Sequence, residues 1–294
     1  MRIINNDVLS IEGMLPFLSE SKFADNIFIY SSLESTNSTA KEIVMSGAKH
    51  GTIVIADSQT AGRGRYGRSY FSPPGLGIYI SFILHTSSKY LISNTPLLTI
   101  YAAVSVCEAI EKTTGIYPQI KWVNDILYNG NKICGILTEA VTDVKNDGFI
   151  YVIAGIGINF ITPETGYPDD IKNIAGSLFS GTPPTITRNE LTAELINRIL
   201  NFEHRERKYK DKHRVSTETM HNETNRVDDS YISTMLNEYR KRLIVIGKRV
   251  IVTVFNESFN AIVIDIDATG RLIVQNDNGV VIPLSYGEVR IIQP

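Results

Sequence analysis

Three apolar runs in the middle of the chain, QIKWVNDILY (119–128), KICGILTEAV (132–141) and YVIAGIGINF (151–160), follow one another with only turn-sized gaps between them. Asn129-Gly130 separates the first two, a dipeptide suited to the left-handed backbone of a tight hairpin turn. Asp147-Gly148 marks the loop before the third. Strands joined by hairpins pair antiparallel, so this block commits the chain to a largely antiparallel sheet. Alternation along a single first strand would place Lys121, Val123 and Asp125 on one face, and Trp122 and Asn124 on the other, unless a bulge intervenes. Two earlier runs, TIVIAD (52–57) and GIYISFIL (77–84), also read as strands.

Helical periodicity is confined to a few segments. Residues 37–46, NSTAKEIVMS, read as a short helix capped by Thr36 or Asn37 and ended by Gly47. Pro96 opens the longest helical pattern, with Leu97, Ile100, Tyr101, Val104, Cys107 and Ile110 on one face and Gly115 at its end. Thr187 and Glu190 form a capping box before LTAELINRIL. From Gly247 onward the pattern changes to short strands (KRVIVTVF, AIVIDID, RLIVQ, VVIPL, VRII) separated by Asn256, Gly270 and Gly279. The expected architecture is α+β: a mixed, largely antiparallel sheet with flanking helices over residues 1–243, then a small SH3-like β-barrel over 244–294.

Composition excludes several classes. The formal net charge is −2 over 294 residues, so no bulk electrostatic case for nucleic-acid binding exists. The run HRERKYKDKHR, inside a polar stretch from 203 to 230, reads as a solvated helix end or loop rather than an RNA-binding arm. Acidic residues interrupt it, and Tyr209 is its one aromatic. Cys107 and Cys134 fall in apolar patterns and are expected to be buried free thiols. The N-terminus lacks a signal peptide's charged start and continuous apolar run, and no apolar stretch is long enough to span a bilayer. A soluble, cytoplasmic protein is expected.

Chemistry concentrates in four places. Gly62-Arg63-Gly64-Arg65-Tyr66-Gly67-Arg68 combines backbone freedom with three fixed cations, a pairing suited to phosphate or carboxylate. It is neither a Walker loop nor a dinucleotide fingerprint. An RGG-like nucleic-acid segment is disfavoured by its position between two buried strands, and a flexible surface loop stays open. Lys121 and Asp125, with Lys132 one hairpin later, suit charge neutralisation beside a phosphate or an ordinary cross-strand ion pair. Ser35-Thr36-Asn37 stands at a helix start, where simple capping would explain it. Gly155 and Gly157, two glycines in one strand ending at Asn159, permit a ligand's close approach or mark a bulge.

Taken in order, ESTNSTAKE, DSQTAGRGRYGRSYFSPPGLGIYIS, IKWVNDILY, KICGILTE and GIGIN resemble the catalytic core of the biotin–protein ligase family. The C-terminal strands resemble that family's SH3-like domain. The resemblance implies an enzyme that uses ATP and Mg²⁺ to activate biotin as biotinyl-AMP. It then transfers the biotinyl group to a lysine of a biotin carboxyl carrier domain. It further implies that Ser35, Thr36, Asn37 and Gln59 bind the ureido end of biotin, and that Gly62, Arg63, Gly64 and Arg65 fold over biotin and its adenylate. Lys132 would contact the biotin carboxylate and the reacting phosphoryl group, with Arg65 and Asp125 as its catalytic partners, and Gly135 would let backbone approach the ligand. Arg63, Arg65, Arg68, Tyr70, Lys121, Asn124, Asp125 and Asn159 would bind ATP, with Mg²⁺ held through the ATP phosphates.

Three departures stand out: valine at 123 where the family usually has proline, tyrosine at 66 where a basic residue is common, and tyrosine at 70 where tryptophan is common. About thirty residues precede the Ser35-Thr36-Asn37 motif, too few for the DNA-binding domain of repressor-type members, so no DNA binding and no membrane association are expected. Family members self-associate through sheet edges, which makes a homodimer one expected state. The nearest alternative activity is that of a lipoate–protein ligase-like acyltransferase, which shares the fold.

Overall fold

The structure, a computed structural model, describes residues 7–85, 95–143, 149–201, 229–255 and 257–292. The larger of its two sheets has seven strands: β1 (Ile27–Tyr30), β2 (Thr52–Ala56), β3 (Gly77–His85), β4 (Gln119–Lys121), β5 (Asp125–Tyr128), β6 (Asn131–Asp143) and β7 (Phe149–Asn159). Their order is β1-β2-β3-β7-β6-β5-β4. β1 and β2 pair parallel, and the other neighbours pair antiparallel. Asn129 and Gly130 adopt φ of 49° and 79° at the β5–β6 turn, the left-handed geometry that the dipeptide favours.

The two faces of this sheet carry different jobs. Ile78, Ile80 and Phe82 of β3, Ile156 and Ile158 of β7, and Cys134 and Ile136 of β6 lie on one face. They share a single core with residues of α3 (Thr95–Thr114), α4 (Arg188–Leu200) and α5 (Asp229–Arg242), among them Ile100, Leu195 and Tyr239. A four-residue turn, α1 (Ile11–Met14), adds Met14 to the same core. The other face lies under α2 (Thr36–Met45), where Ala40 and Val44 pack on Val54, Ile83 and Ile153. Burying a valine this fully is worth roughly 1.5–3 kcal/mol. Along β7 this second face runs from Tyr151 and Ile153 under α2 to Gly155, Gly157 and Asn159, the strand having no side chain of its own at the two glycines.

Several expected boundaries hold. Thr187 caps α4, its Oγ1 accepting from the Glu190 N–H at 3.0 Å, Pro96 sits in the first turn of α3, and Gly115 follows its end at φ 73°. Cys107 and Cys134 are buried and free, and burial pushes the Cys107 thiol up to about 12. Among the described residues no helix is long and apolar enough to cross a membrane. Asp147-Gly148, Asn256 and residues 203–228 of the charged stretch lie outside the described residues.

Two expectations need correction. The cap of α2 is Ser35, with extended backbone and its Oγ accepting from the Ser38 N–H. Thr36 and Asn37 are therefore the first helical residues, and their side chains are freed from capping to turn inward, each 4% exposed. The run QIKWVNDILY is not one strand. It breaks at Trp122–Asn124 into β4 and β5, and the Trp122–Val123 peptide is cis. Tertiary packing overrides local alternation here. Trp122 is buried and donates from Nε1 to the Gly270 carbonyl (3.4 Å), and the Val123 carbonyl accepts from the Tyr239 hydroxyl (3.0 Å). Val123 thus lies in a turn, not in a strand. Lys121 and Asp125 still share a face, but as cross-strand partners.

The smaller sheet comprises β8 (Arg249–Val254), β9 (Glu257–Ile266), β10 (Leu272–Asn276), β11 (Val281–Leu284) and β12 (Glu288–Ile291). Its order is β11-β10-β9-β8-β12, antiparallel throughout. It is fastened to the larger sheet at the β9–β10 turn, where Gly270 (φ 79°) meets Trp122 and α3. A Cβ on Gly270 would stand 2.6 Å from Ile100 Cδ1, whereas one on Gly279 (φ 78°) meets nothing within 4 Å. Gly279→Ala should therefore cost about 1–2 kcal/mol, for left-handed backbone alone. Gly270→Ala should cost about 1–3 kcal/mol more, from overpacking against the buried Ile100. Urea denaturation midpoints check this, and equal losses would contradict the fastening role of Gly270.

Candidate active site

A pocket of about 310 Å³ lies on the glycine-bearing face, between the start of α2, the β4–β5 turn and the arginine-rich loop. Its floor is backbone. Cβ atoms added at Gly155 and Gly157 would fall inside 3.0 Å of the Asn37 amide and the Tyr70 ring respectively. The register with both neighbouring strands runs unbroken through these positions. The bulge reading is thereby excluded: the glycines make room for two of the protein's own side chains, which lie flat on the sheet.

One end of the pocket is neutral and polar. The Thr36 N–H donates to Gln59 Oε1 (2.9 Å), and Gln59 Nε2 donates to Ser72 Oγ (2.9 Å). The fully buried Ser81 hydroxyl stands 2.8 Å from Thr36 Oγ1 and 2.6 Å from Asn37 Oδ1. Asn37 Nδ2 donates to Glu139 Oε2 (2.8 Å) and, at 3.3 Å, to the Leu137 carbonyl.

The other end is cationic. Lys132 Nζ pairs with Asp125 Oδ1 at 2.6 Å, both side chains about one quarter exposed. A β-bulge aims this lysine. Ile126 pairs with Cys134 but Leu127 pairs with Lys132, which leaves Ile133 as the extra residue. Lys132 and Gly135 stand three apart and would face opposite ways on a regular strand. With the bulge, Lys132 Nζ passes 3.3 Å from where a Gly135 Cβ would be. The Tyr70 ring lies over the same glycine, and its hydroxyl reaches the Gly157 carbonyl (2.6 Å) and Asn159 Oδ1 (3.1 Å). Burial raises this phenol well above its ordinary range, so it stays a protonated donor.

The arginine-rich loop closes over this end as a hairpin-like clip. Tyr70 N donates to the Gly62 carbonyl (2.8 Å) and Gly64 N to the Arg68 carbonyl (2.7 Å). Tyr66, at its tip, takes a left-handed φ of 58°. Arg65 donates to Asn124 Oδ1 (3.0 Å) and stacks on the Tyr66 ring at 4.9 Å. Arg63 pairs with Glu34 (3.3 Å). Arg68 pairs with Glu288 of the small sheet (2.7 Å), and the Gly287 N–H donates to the Tyr66 hydroxyl (3.2 Å).

The residues expected from sequence converge here. Ser35, Asn37, Gln59, Arg63, Gly64 and Arg68 line this one pocket with Lys121, Asn124, Lys132, Gly135 and Asn159. Gly62 does not line it. It packs beneath the loop, where a Cβ would meet the Tyr70 carbonyl at 2.5 Å. Ser81, Glu139, Tyr167, Gly287 and Glu288 were not expected. Ser81 had a signal, as a polar residue inside the apolar run GIYISFIL. Glu139 closes the motif KICGILTE. Gly287 and Glu288 had no local signal, since about 220 residues separate them from the loop. Among the described residues no cluster of three or more His, Cys, Asp or Glu forms a metal site. A neutral polar end, a flat floor and a cationic end suit an elongated ligand with a polar uncharged head and an anionic tail.

The fold matches one structural class. The solved structure of biotin protein ligase from Aquifex aeolicus in complex with biotin and ATP superposes with a TM-score of 0.69, at 25% identity, over 92% of this chain and 99% of that one. Residues 29–159 match the Biotin/lipoate A/B protein ligase family, and residues 245–291 match the Biotin protein ligase C terminal domain. The chain thus carries a biotin/lipoate A/B protein ligase domain followed by a biotin protein ligase C-terminal domain. The bifunctional ligase/repressor BirA of Bacillus subtilis is 40% identical over 192 residues, 65% of this chain and 57% of that protein. BirA of Salmonella typhimurium is 25% identical over 268 residues, 90% of this chain and 74% of that protein. The chain spans little more than half the length of the two Bacillus relatives that it matches.

The floor generates a prediction. Gly157→Ala should displace the Tyr70 ring and break its bond to the residue 157 carbonyl, at about 1–3 kcal/mol of stability. Tyr70→Gly in the same background removes the clash and should return part of that loss. Thermal unfolding of the single and double variants checks this, and purely additive losses would contradict the packing described.

Proposed function

We propose that this chain is an ATP-dependent biotin–protein ligase, with its catalytic machinery in residues 1–243 and a supporting SH3-like unit in 244–294. The observation that carries the choice of substrate is the neutral polar end of the pocket. The ureido ring of biotin offers both N–H donors and a carbonyl acceptor to Ser35, Thr36 and Gln59. The dithiolane of lipoate offers neither to this end of the pocket, and a site with polar groups placed for a ligand's N–H and carbonyl favours the ligand that carries them. Lipoate–protein ligase-like chemistry is the alternative that the fold leaves.

In this reading the biotin carboxylate lies towards Lys132. Its oxygen attacks the α-phosphorus of ATP, the bond to pyrophosphate breaks, and biotinyl-AMP forms. Both partners are anionic, so the step depends on cations that offset their repulsion. Lys132 exchanges Asp125 for the reacting anions. Arg63, Arg65 and Arg68 supply further charge from the loop, and Lys121, Asn124, Tyr70 and Asn159 line the nucleotide's share of the pocket. Mg²⁺ bound through the ATP phosphates would add further positive charge, and Asp125, in the pocket beside Lys132, would be a carboxylate able to hold it. In the second step the acceptor lysine's amine attacks the biotinyl carbonyl, an amide forms, and AMP leaves. A biotin carboxyl carrier domain would present that lysine. Closure of the loop keeps water from the anhydride between the steps.

Incubating the protein with ATP, Mg²⁺ and either biotin or lipoate, and weighing the adenylate by mass spectrometry, tests the reading. Biotinyl-AMP is the expected product, and lipoyl-AMP in its place would overturn the assignment. Lys132→Ala should lower single-turnover adenylate formation by roughly 10²–10³-fold, as removal of one charge-stabilising donor does, with its circular dichroism unchanged. A near wild-type rate would remove Lys132 from the mechanism. Arg65→Gly loses the bond to Asn124 and the stack on Tyr66. It should speed biotinyl-AMP release by about 10- to 100-fold, more than it slows synthesis, so that bystander proteins such as albumin become biotinylated. An unchanged off-rate with a clean streptavidin blot would show that Arg65 is not the gate.

A further inference from the structure

Arg65 differs from the other two arginines of its loop in what holds it. Arg63 and Arg68 are neutralised by carboxylates, Glu34 and Glu288. The groups that hold Arg65 are neutral. Its Nη1 donates to Asn124 Oδ1 (3.0 Å), and that amide is itself fixed, because its Nδ2 donates to the Ile136 carbonyl at 2.9 Å. Its Nη2 donates to the Tyr66 hydroxyl (3.0 Å) and reaches the Gly287 carbonyl at 3.5 Å. The Tyr66 ring lies against the same guanidinium. Arg65 therefore keeps its full charge for a ligand, in a fixed position, with no ion pair to give up when one arrives.

The arrangement turns on Tyr66. Its phenol oxygen accepts from two N–H groups at once, Arg65 Nη2 and the Gly287 backbone at 3.2 Å. A basic side chain, common at this position in the family that the sequence resembles, could only donate, and would set a second cation against Arg65. Tyr66 holds a left-handed φ of 58°, uncommon for a bulky residue and kept only where its neighbours enforce it. Gly287 stands at φ 127°, and a Cβ there would lie 2.9 Å from the Thr253 carbonyl. The small sheet thus offers one bare backbone unit to the loop, its N–H to Tyr66 and its carbonyl towards Arg65.

We propose that Tyr66 is a positioning residue for Arg65, a latch that fastens the loop tip to Gly287 of the small sheet and orders the Arg65 guanidinium over the cationic end before any ligand binds. What the ordered arginine then retains, biotinyl-AMP, rests on the biotin ligase reading. The latch itself belongs to the ligand-free chain.

The test measures biotinyl-AMP release and synthesis with the full-length chain. Tyr66 is 59% exposed, so substitutions there leave the core intact. Tyr66→Phe keeps the ring and removes the shared acceptor. It should speed release by about 3- to 10-fold, the worth of one hydrogen bond while the others remain, and slow synthesis by less. Tyr66→Arg also loses the stack and brings like charges together, and should speed release by about 10-fold or more. In an Arg65→Gly background Tyr66→Phe should add nothing, because it acts through Arg65. Without ligand, trypsin should cut after Arg63, Arg65 or Arg68 about 3- to 10-fold faster in Tyr66→Phe than in the wild type, since local opening exposes the loop. The proposal is overturned by a Tyr66→Phe release rate within about twofold of wild type, by effects that multiply in the double variant, by Tyr66→Arg retaining the adenylate as the wild type does, or by unchanged trypsin cleavage. A wild-type chain that forms no biotinyl-AMP would overturn the ligand reading instead, and faster cleavage of Tyr66→Phe would then still support the latch.

Discussion

Bare backbone at Gly155 and Gly157 is the constraint on which the site is built. A side chain at either position would occupy the space of Asn37 or of Tyr70, and those two residues organise the opposite ends of the pocket. Asn37 comes from the start of a helix and lies on the sheet because Ser35, two residues earlier, has taken over the capping. Tyr70 follows the arginine-rich loop and anchors its returning arm to the Gly157 carbonyl. The same strand supplies Ile153 to the packing under α2 and Ile156 and Ile158 to the main core. One period-two pattern therefore fixes the helix, the loop and the floor at once.

The two ends differ in how firmly they are held. At the neutral end, the buried Thr36, Asn37, Ser72 and Ser81 bond to one another and to the half-buried Gln59, and a network of this kind resists rearrangement. At the cationic end three of the charges have carboxylate partners that a ligand can displace. Lys132 has Asp125, Arg63 has Glu34 and Arg68 has Glu288. Partly exposed pairs such as these contribute about 0–1 kcal/mol, so an arriving polyanion can exchange them at little cost. The partner of Arg68 belongs to the small sheet, which ties the loop's resting position to a unit remote in sequence. A rigid recognising end and an exchangeable reacting end suit a site that must hold one group still while charge is redistributed at the other.

Much of this was legible where the signals were local. Thr187 with Glu190, Asn129-Gly130, Pro96 and Gly115 each mark a boundary through the backbone chemistry of one or two residues, and each marks it correctly. The glycine–arginine stretch suits an anion by its chemistry, whereas Lys121, Asp125 and Lys132 suit either a phosphate's surroundings or an ordinary ion pair. What the sequence hid depends on distant partners. QIKWVNDILY has the composition of one strand, and its break is decided by Trp122 reaching Gly270 and by Tyr239 reaching Val123. The bulge at Ile133 leaves no mark in a run of apolar residues, yet it aims Lys132. Ser81 was visible as an oddity but its purpose was not, because Asn37 and Glu139 lie 44 and 58 residues away along the chain.

Chemical activation of the ligand's carboxylate at the Lys132 end is the central claim, and isotope transfer tests it most directly. Biotin labelled with ¹⁸O in its carboxylate would be turned over with ATP, Mg²⁺ and an acceptor carrier domain, and the released AMP weighed. If a carboxylate oxygen attacks the α-phosphorus, and the acceptor amine then cleaves the carbonyl–oxygen bond, AMP leaves carrying one ¹⁸O atom. Unlabelled AMP alongside biotinylated acceptor would contradict the adenylate route and, with it, the role given to the cationic end of the pocket.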